Sequence, residues 1–425
     1  MNQTYPPPGY IPTQSTITGI EIYMPAPQEE ETPAEVTFKC PQCGAPTGFD
    51  IREGGLSCPH CGYFAPPKEK IVGKAAEQSE FTLSAVQAGS PTNGWGEDRN
   101  ELSCQQCGAV VTVPVENLTH TCPFCGSNKV IQRQADQGIL RPKFLIPFKV
   151  KPDVCKAIAH QWLGSSWMTP SSLQQVAAIG AFTPIFLPFW TFTATCDADW
   201  RAEVGHDRTE TYYENGERKT RTVTDWRWKN GNVRNTYHDL LISGTKRHSL
   251  VLLNRLKSYD LDALTPYAAE FLAGMHAQAY DIPLEEAWES GREQMRESSR
   301  QACLRDADGD HIRNFSMSLD FEDESWRYIL VPMYSSVFQY QSKPYQILVN
   351  GQNGAITGPR PADWNKIWLV MAAIAAPGLL VSLIGLITAV FGIGLAIGGI
   401  GLVLLIIAVI IDVIIFSKAK EMEHV

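Results

Sequence analysis

Residues 40–61 read CPQCGAPTGFDIREGGLSCPHC, and residues 104–125 read CQQCGAVVTVPVENLTHTCPFC. Each stretch holds two Cys-x-x-Cys pairs separated by 14 residues, and every cysteine of the first stretch recurs 64 positions later, which indicates an internal duplication. Two such pairs brought together supply the four thiolates of a tetrahedral zinc site. The spacing therefore predicts two structural zinc ribbons with one ion each. The predicted ligands are Cys40, Cys43, Cys58, Cys61, Cys104, Cys107, Cys122 and Cys125.

Two other interpretations of these cysteines are open. A disulfide framework requires an oxidising compartment, whereas the start of the chain, MNQTYPPPGYIPTQ, lacks the basic and apolar regions of a signal peptide. A redox role does not require a second pair at a fixed distance. A closed four-thiolate site has no position for substrate, so these zinc ions are expected to hold small folds together. The remaining Cys155, Cys196 and Cys303 are predicted to be buried, inert thiols.

Residues 367–416 contain 39 apolar residues in 50, and their only charge is Asp412. A single helix of that length would measure about 75 Å, against about 30 Å for the hydrocarbon core of a bilayer. The best break is Phe391-Gly392-Ile393-Gly394, which predicts transmembrane helices at 367–390 and 395–416 joined as a hairpin. Pro377 comes too early to be the turn and is expected only to kink the first helix.

Basic residues flank this hairpin on both sides and none lies in its turn. Arg360 and Lys366 precede the first span, and Lys418 and Lys420 follow the second. The positive-inside tendency then places both flanks, including the tail 417–425, in the cytoplasm. The protein is therefore expected to be a multi-pass protein of the inner (cytoplasmic) membrane with both termini cytoplasmic.

Two features inside the spans leave alternatives open. Gly394-x-x-x-Gly398 can let helices pack closely, either within the hairpin or between copies in a homo-oligomer. Asp412 is either a carboxylate hydrated near the headgroups or a functional carboxylate inside the membrane.

The remaining sequence predicts a multidomain protein. Its predicted parts are a disordered Pro-rich acidic tail at 1–36, ribbon one at 37–66, a polar linker at 67–100, ribbon two at 101–134 and an α+β domain at 138–360. In that domain the patterns predict helices at 152–163, 266–280 and 283–303 and strands at 185–194, 208–213, 219–229, 326–340 and 345–349. Asn215-Gly216 and Asn230-Gly231 read as tight hairpin turns, which implies an antiparallel sheet.

Charge and motifs argue against two common functions. The chain carries 36 Lys and Arg against 45 Asp and Glu, a net −9, and residues 1–137 hold eight basic against fifteen acidic residues, whereas nucleic-acid binding needs a basic face. The sequence has no GxxxxGK(S/T), GxSxG or HExxH motif.

Asp306-x-Asp308-x-Asp310 departs from a calcium loop and reads as an acidic loop. His206-Asp207 and His238-Asp239 lie in strand-like segments, so neighbouring side chains point to opposite faces and form no ready dyad.

The order of these features resembles one bacterial family of membrane-anchored zinc-ribbon proteins. Its members are often labelled transcription-factor-IIB-type zinc-ribbon proteins or "primosomal protein N′, superfamily II helicase"-like proteins. The resemblance rests on Cys40-Pro41-Gln42-Cys43-Gly44, Cys104-Gln105-Gln106-Cys107-Gly108, Leu187-Pro188-Phe189-Trp190, Asn350-Gly351-Gln352-Asn353-Gly354 and the C-terminal hairpin. The helicase label implies an ATPase, and this chain has no Walker A loop for one. Only the eight cysteines carry over as functional residues, as ligands of two structural zinc ions.

The resemblance implies a membrane anchor that accompanies phage-shock-protein-A-like and SPFH (virion-core-like) proteins in envelope stress. The expectation is thus a non-enzymatic, membrane-anchored cytoplasmic adaptor that recruits such partners. The alternative is a DNA-associated replication or transcription accessory protein that uses the ribbons. A third possibility is an enzyme whose site lies in the middle domain, which a pocket with convergent titratable groups would favour.

Overall fold

The computed structural model describes residues 10–13, 22–25, 38–76, 78–80, 95, 99–114, 122–124, 127–135, 139–176, 178–215, 217–246, 250–256, 258–341, 343–388 and 394–424. The strands are β1 Tyr10–Thr13, β2 Ile22–Pro25, β3 Gly48–Asp50, β4 Gly55–Ser57, β5 Phe64–Ala65, β6 Ser79–Glu80, β7 Arg99–Cys104, β8 Val110–Pro114, β9 Val130–Gln134, β10 Phe144–Leu145, β11 Ala178–Ile179, β12 Thr183–Glu214, β13 Glu217–Ser243, β14 Thr265–Pro266, β15 His276–Ala277, β16 His311–Tyr340, β17 Lys343–Asn350 and β18 Ile356–Thr357. The helices are α1 Pro152–Leu163, α2 Leu173–Val176, α3 Leu250–Arg255, α4 Leu284–Ala307, α5 Trp364–Thr388 and α6 Gly394–His424.

Three very long strands form the centre of the molecule. β12 has 32 residues and pairs antiparallel with β13 on one side and with β16 on the other. At about 3.3 Å per residue, β12 would extend about 105 Å if straight. The predicted strands 185–194 and 208–213 are two parts of this one strand. Short parallel pairings of β10 with β16 and of β15 with β12 make the sheet mixed rather than wholly antiparallel.

The far half of this sheet is a three-stranded arm with one apolar face. Alternate residues of β12 there are small or apolar and buried, and they are Cys196, Ala198, Trp200, Ala202 and Val204. The intervening positions are mostly polar and more exposed, because side chains alternate between the two faces of a strand. Helix α4 covers the apolar face with its own buried side chains, including Cys303 and Ala307. The helix predicted at 283–303 is therefore confirmed, and it continues to Ala307.

The two predicted hairpin turns have different outcomes. Glu214 pairs with Glu217 and Asn215 has a φ of 54°, as a two-residue hairpin requires, so the first turn is confirmed; its other residue, Gly216, lies outside the described residues. The turn at Asn230-Gly231 is wrong, because both residues lie within β13. A Cβ on Gly231 would lie 2.8 Å from Trp200 Nε1 and from Asp306 Oδ2. Glycine is needed there for the close approach of these two side chains and not for a turn.

The helix predicted at 266–280 is wrong as well. That segment contains β14, a 3₁₀ turn at Ala269–Leu272 and β15. Phe271, Leu272 and Met275 are all buried, so the apolar spacing reflects burial on every side rather than one helical face. The first predicted helix, 152–163, is confirmed as α1.

The long sheet changes register on a line that crosses all three strands. The pairing shifts between Phe192 and Ala194 on the β13 side, and between Thr193 and Thr195 on the β16 side. On β13 the irregular residue is Asp239, which has a φ of 55°. Its carboxylate forms an ion pair with Arg327 of β16, whose side chain is fully buried. Bulges of this kind bend strands, so this line separates the body of the domain from the arm.

Both cysteine-rich segments pack onto the body. β7, β8 and β9 join the main sheet because Thr112 of β8 pairs with Ala277 of β15. β3, β4 and β5 form a separate small sheet that contacts the segment before β15, where Phe49 N donates to Ala273 O at 2.9 Å.

In the predicted linker 67–100, β6 pairs with β16 and Trp95 is fully buried. Of the predicted tail 1–36, β1 and β2 pair with each other, and the other residues lie outside the described ones.

Helices α5 and α6 are long and apolar enough to cross a membrane. Only 11% of the most apolar window of each is buried, which argues against core helices of a soluble domain and favours a membrane anchor. The break between them falls after Thr388 and before Gly394, and the intervening residues lie outside the described part. α5 continues through Pro377. Gly398 lies against Gly385, where an added Cβ would be 2.3 Å from Gly398 N, so this glycine packs within the hairpin.

Candidate metal centres

The four Cys-x-x-Cys turns share one backbone hydrogen bond. In each turn the N–H of the first cysteine donates to the carbonyl five residues later, and these bonds are Cys40 to Ala45 at 2.7 Å, Cys58 to Tyr63 at 2.8 Å, Cys104 to Ala109 at 2.8 Å and Cys122 to Ser127 at 2.8 Å. The glycines that follow the second cysteine have φ values of 71° at Gly44, 74° at Gly62 and 75° at Gly108. An added Cβ would meet nothing within 4 Å at any of the three, so the positive φ and not lack of space requires glycine.

The first centre brings all four predicted sulfurs together. The Sγ atoms of Cys40, Cys43, Cys58 and Cys61 lie within 4.8 Å of one another. Cys40 and Cys61 are 3.5 Å apart, and Cys43 and Cys58 are 3.6 Å apart. Tetrahedral coordination with bonds of about 2.3 Å places two sulfurs about 3.8 Å apart, close to these separations. The cluster can therefore hold a metal ion.

The second centre repeats this arrangement 64 residues later. The Sγ atoms of Cys104, Cys107 and Cys122 lie within 4.8 Å of one another, with Cys107 and Cys122 3.7 Å apart. The fourth predicted ligand, Cys125, lies outside the described residues. In both centres the first cysteine of the turn is buried and the second is exposed, where described. This cluster too can hold a metal ion.

Electrostatics in the first centre favour a bound cation. Backbone N–H groups, first that of Cys61 and then that of His60, lower the pKa of Cys58 to about 6 against the effect of desolvation. The N–H of Ala45 acts to lower the pKa of Cys43, but desolvation and the neighbouring thiols leave it raised. One thiolate is therefore stabilised at the expense of the others, and a central cation is needed before all four can ionise.

A buried arginine ties the second centre to the body. Arg99, at the start of β7, is fully buried and donates to the carbonyls of Thr112 at 3.2 Å and Met275 at 2.7 Å. Nearby, Thr112 Oγ1 donates to the carbonyl of Ala277 at 3.0 Å. Sequence reasoning missed Arg99, because a single arginine at the end of a polar segment carries no signal of burial. These bonds join the second cysteine-rich segment and the segment around β15 into one packed unit.

The acidic loop does not gather its carboxylates into one site. Asp306 Oδ2 accepts from Trp200 Nε1 at 2.9 Å, Asp308 caps α4 in the left-handed conformation, and Asp310 Oδ2 accepts from Asp207 N at 2.8 Å. Each of the three residues thus has its own structural partner or role.

The first His-Asp pair points its two members to different partners, as predicted. His206 Nε2 lies 3.3 Å from Lys229 Nζ, whereas Asp207 Oδ2 lies 3.1 Å from His311 Nε2. Hydrogen bonds from Thr224 and then His311 lower the pKa of Asp207. In the second pair, Asp239 contacts Arg327.

The leftover cysteines are buried, as predicted. Burial raises the pKa of Cys155 to about 12 and also raises the pKa values of Cys196 and Cys303. Such thiols are poor nucleophiles at neutral pH.

Asp412 lies in α6, and its Oδ1 atom is buried with no hydrogen-bond partner in the described part of the chain.

Comparison with known proteins finds similarity over most of the chain. No family model matches it, and no solved structure matches it. The chain is 23% identical over 347 residues to "Uncharacterized protein YdjG" of Bacillus subtilis (strain 168), and the match covers 80% of this chain and 94% of that protein. The shared length thus includes most of the architecture described above, in a relative whose description assigns no activity.

Proposed function

We propose that this protein is a membrane-anchored cytoplasmic adaptor that recruits partner proteins to the inner membrane. The closed form of the first cysteine cluster supports this proposal most: four sulfurs within 4.8 Å of one another fill a tetrahedral ion's coordination and leave no position for substrate. Both cysteine-rich segments contact the body of the domain, and the same chain carries the apolar hairpin. The resemblance described above supports SPFH-like and phage-shock-protein-A-like proteins as the partners, in an envelope stress response.

The ions in the two clusters are proposed to be zinc. Four thiolates in tetrahedral array suit zinc, which is not redox-active and which structural sites of this type usually hold. Metal analysis of the full-length protein should give two zinc ions per chain, and Cys43→Ser should reduce this to about one. A zinc content below one per chain in the unaltered protein would contradict the paired-ribbon proposal.

Both flanks of the hairpin are proposed to lie in the cytoplasm, supported by Arg360 and Lys366 before it and Lys418 and Lys420 after it. A green fluorescent protein fused after Val425 should fluoresce, because that reporter folds in the cytoplasm, and alkaline phosphatase fused at the same point should be inactive. Active phosphatase with a dark fluorescent fusion would overturn this orientation.

Partner recruitment is tested by affinity purification of the full-length protein from detergent-solubilised membranes, with and without membrane stress. The proposal expects SPFH-like or phage-shock-like proteins to be recovered, and Cys43→Ser or Cys107→Ser to reduce their yield. The substitution Lys219→Gln, at an exposed site far from both clusters, serves as the matched control and should not. Recovery of neither partner class in both conditions would refute the adaptor proposal, and salt-dependent DNA binding by the same preparation would replace it with a nucleic-acid role.

A further inference from the structure

A cavity of about 420 Å³ lies where the body meets the base of the apolar hairpin. Its walls come from the end of α1, the loop after α1, the end of α3, the segment that follows β18 and the last turns of α6. Trp162 and Met168 form apolar parts of the wall, and Arg255, Arg360 and Lys418 contribute positive charge. The cavity therefore combines apolar surface with a concentration of cations.

The cavity lies at the depth expected for lipid headgroups. The rings of Trp364 and Trp368 pack against Phe416 at centroid distances of 5.5 and 6.4 Å, and aromatic residues of this kind mark the membrane interface. Lys418 and Met422 follow Phe416 by two and six residues, which is about 3–9 Å along the helix at about 1.5 Å per residue. A bilayer of about 40–45 Å with a core of about 30 Å has headgroup layers of about 5–8 Å on each side. The distance of Lys418 and Met422 from Phe416 therefore overlaps the thickness of the headgroup layer.

The cations of the cavity exceed its anions. Glu421 is the only carboxylate among the described residues that line it, and Glu421 is engaged in an ion pair with Arg255. Neither Arg360 nor Lys418 forms an ion pair with a carboxylate in the part of the chain that the structure describes. The cavity thus keeps two positive charges with no counter-ion among the residues that the structure describes.

Arg360 is held in a fixed position, and one of its buried donors is left without an acceptor among the described residues. Its Nη1 donates to the carbonyl of Trp162 at 2.8 Å and to Ser165 Oγ at 2.9 Å, and its guanidinium lies 4.5 Å from the centre of the Trp162 ring. Its Nε is buried and has no acceptor among the described residues. A buried donor without an acceptor is costly, and a phosphate oxygen would supply both the acceptor and the counter-ion.

We infer that this cavity binds the phosphate group of an anionic phospholipid headgroup, with Arg360 and Lys418 as its ligands. Trp162 and Met168 contact the apolar part of the lipid next to the phosphate. Depth and apolar walls favour a lipid over free phosphate, which would need neither. The inference rests on the membrane anchoring proposed above and extends it from insertion to recognition of one class of lipid.

The test uses the full-length protein purified in a neutral detergent and titrated with dioctanoyl phosphatidylglycerol, dioctanoyl phosphatidylcholine or inorganic phosphate. Native mass spectrometry should count one saturable phosphatidylglycerol per chain at concentrations where phosphatidylcholine and phosphate do not bind. Arg360→Gln and Lys418→Gln should each weaken that binding about tenfold or more, since each removes one charge-assisted contact. Lys420→Gln is the matched control, because Lys420 lies on the same helix but contacts the Phe416 ring instead of the cavity.

Three outcomes would overturn the inference. If inorganic phosphate bound as tightly as phosphatidylglycerol, the cavity would be a site for a free anion. If phosphatidylcholine bound as tightly, the headgroup would not need a net negative charge. If Lys420→Gln weakened phosphatidylglycerol binding as much as Lys418→Gln, the effect would be a general attraction between basic residues and anionic lipid. Lys418 is exposed, so its substitution should preserve the fold even if Arg360→Gln does not. Failure of membrane anchoring would appear separately, as protein missing from the membrane fraction, and would not be confused with failure to bind the headgroup.

Discussion

Buried charges in the body hold together segments that are far apart in the sequence. Arg327 and Asp239 are separated by 88 residues, and the Arg327 side chain is completely buried. Two more of its nitrogens, Nε and Nη1, have no hydrogen-bond partner among the described residues. The Asp239 carboxylate is therefore the principal compensation for this cation, at the line where all three long strands change register.

Asp239→Asn should destabilise the protein by roughly 3 kcal/mol, because it leaves a buried guanidinium without its anion. Asparagine has nearly the same shape as aspartate and tolerates the positive φ at this position, so backbone strain is not introduced. Thermal unfolding followed by tryptophan fluorescence measures the effect. Asp308→Asn is the control, since Asp308 also has a positive φ but forms no ion pair with a described residue; losses of equal size would contradict the role given to the ion pair.

His276 should make stability depend on pH. Burial, and then the charge of Arg99, lowers its pKa to about 4 from the usual value near 6.5. The folded state therefore stays neutral while the unfolded state takes up a proton, so this contribution is present above pH 6.5 and is lost as pH falls towards 4. Between pH 7 and pH 5 the loss should be about 2 kcal/mol.

The measurement for His276 is the difference in unfolding free energy between the unaltered protein and His276→Gln at each pH. Acid also protonates metal-binding thiolates, but that effect is common to both proteins and cancels in the difference. Parallel curves for the two proteins between pH 5 and pH 7 would show that His276 does not contribute.

At the scale of elements, sequence patterns predicted what depends on near neighbours. The Cys-x-x-Cys turns, α1, α4 and the Asn215 hairpin are all specified by residues a few positions apart. The pattern at 266–280 was misleading because the burial of its apolar residues on all sides arises from distant strands. Gly231 was misleading because glycine is required at this position by the close approach of Trp200 and Asp306, not by a turn. Arg99 escaped notice, and Arg360 was recognised only as a flanking charge, for the same reason: their partners are remote in sequence.

The contact between α5 and α6 depends on particular glycines. Gly385→Ala should destabilise the hairpin, because its Cβ would lie 2.3 Å from the backbone of Gly398 and the helices would have to separate. Gly399→Ala should have little effect, because nothing lies within 4 Å of the added Cβ. The temperature at which the detergent-solubilised protein loses its monodisperse elution peak measures both. Similar temperatures for the two variants would mean that this close contact is not a determinant of the packing.

At the scale of the whole molecule, the two cysteine centres are attached differently. The strands of the second cysteine-rich segment belong to the main sheet, whereas those of the first form a separate small sheet. Metal binding and folding are coupled wherever the metal holds the fold together. Loss of the ion proposed for the second cluster should therefore disturb the body, and loss of the ion proposed for the first should remain local.

Cys107→Ser should expose Trp95 and the segment around β15, whereas the equivalent Cys43→Ser should leave the body intact. Both residues are the exposed second cysteine of their turn, so the pair is matched. Limited proteolysis of the full-length proteins, with cleavage sites mapped by mass spectrometry, distinguishes the two. If both variants are cleaved only within their own ribbon, the second ribbon is not part of the body's cooperative unit.

The length of the arm sets how far its tip lies from the body of the domain. From the register shift at Thr193 to the hairpin at Asn215 there are 22 residues, which extend up to about 70 Å at about 3.3 Å per residue. That distance is more than twice the thickness of the hydrocarbon core of a bilayer, about 30 Å. A protein bound at the cysteine-rich segments on the body, as proposed above, would therefore leave the tip of the arm free of contact and exposed to the cytoplasm.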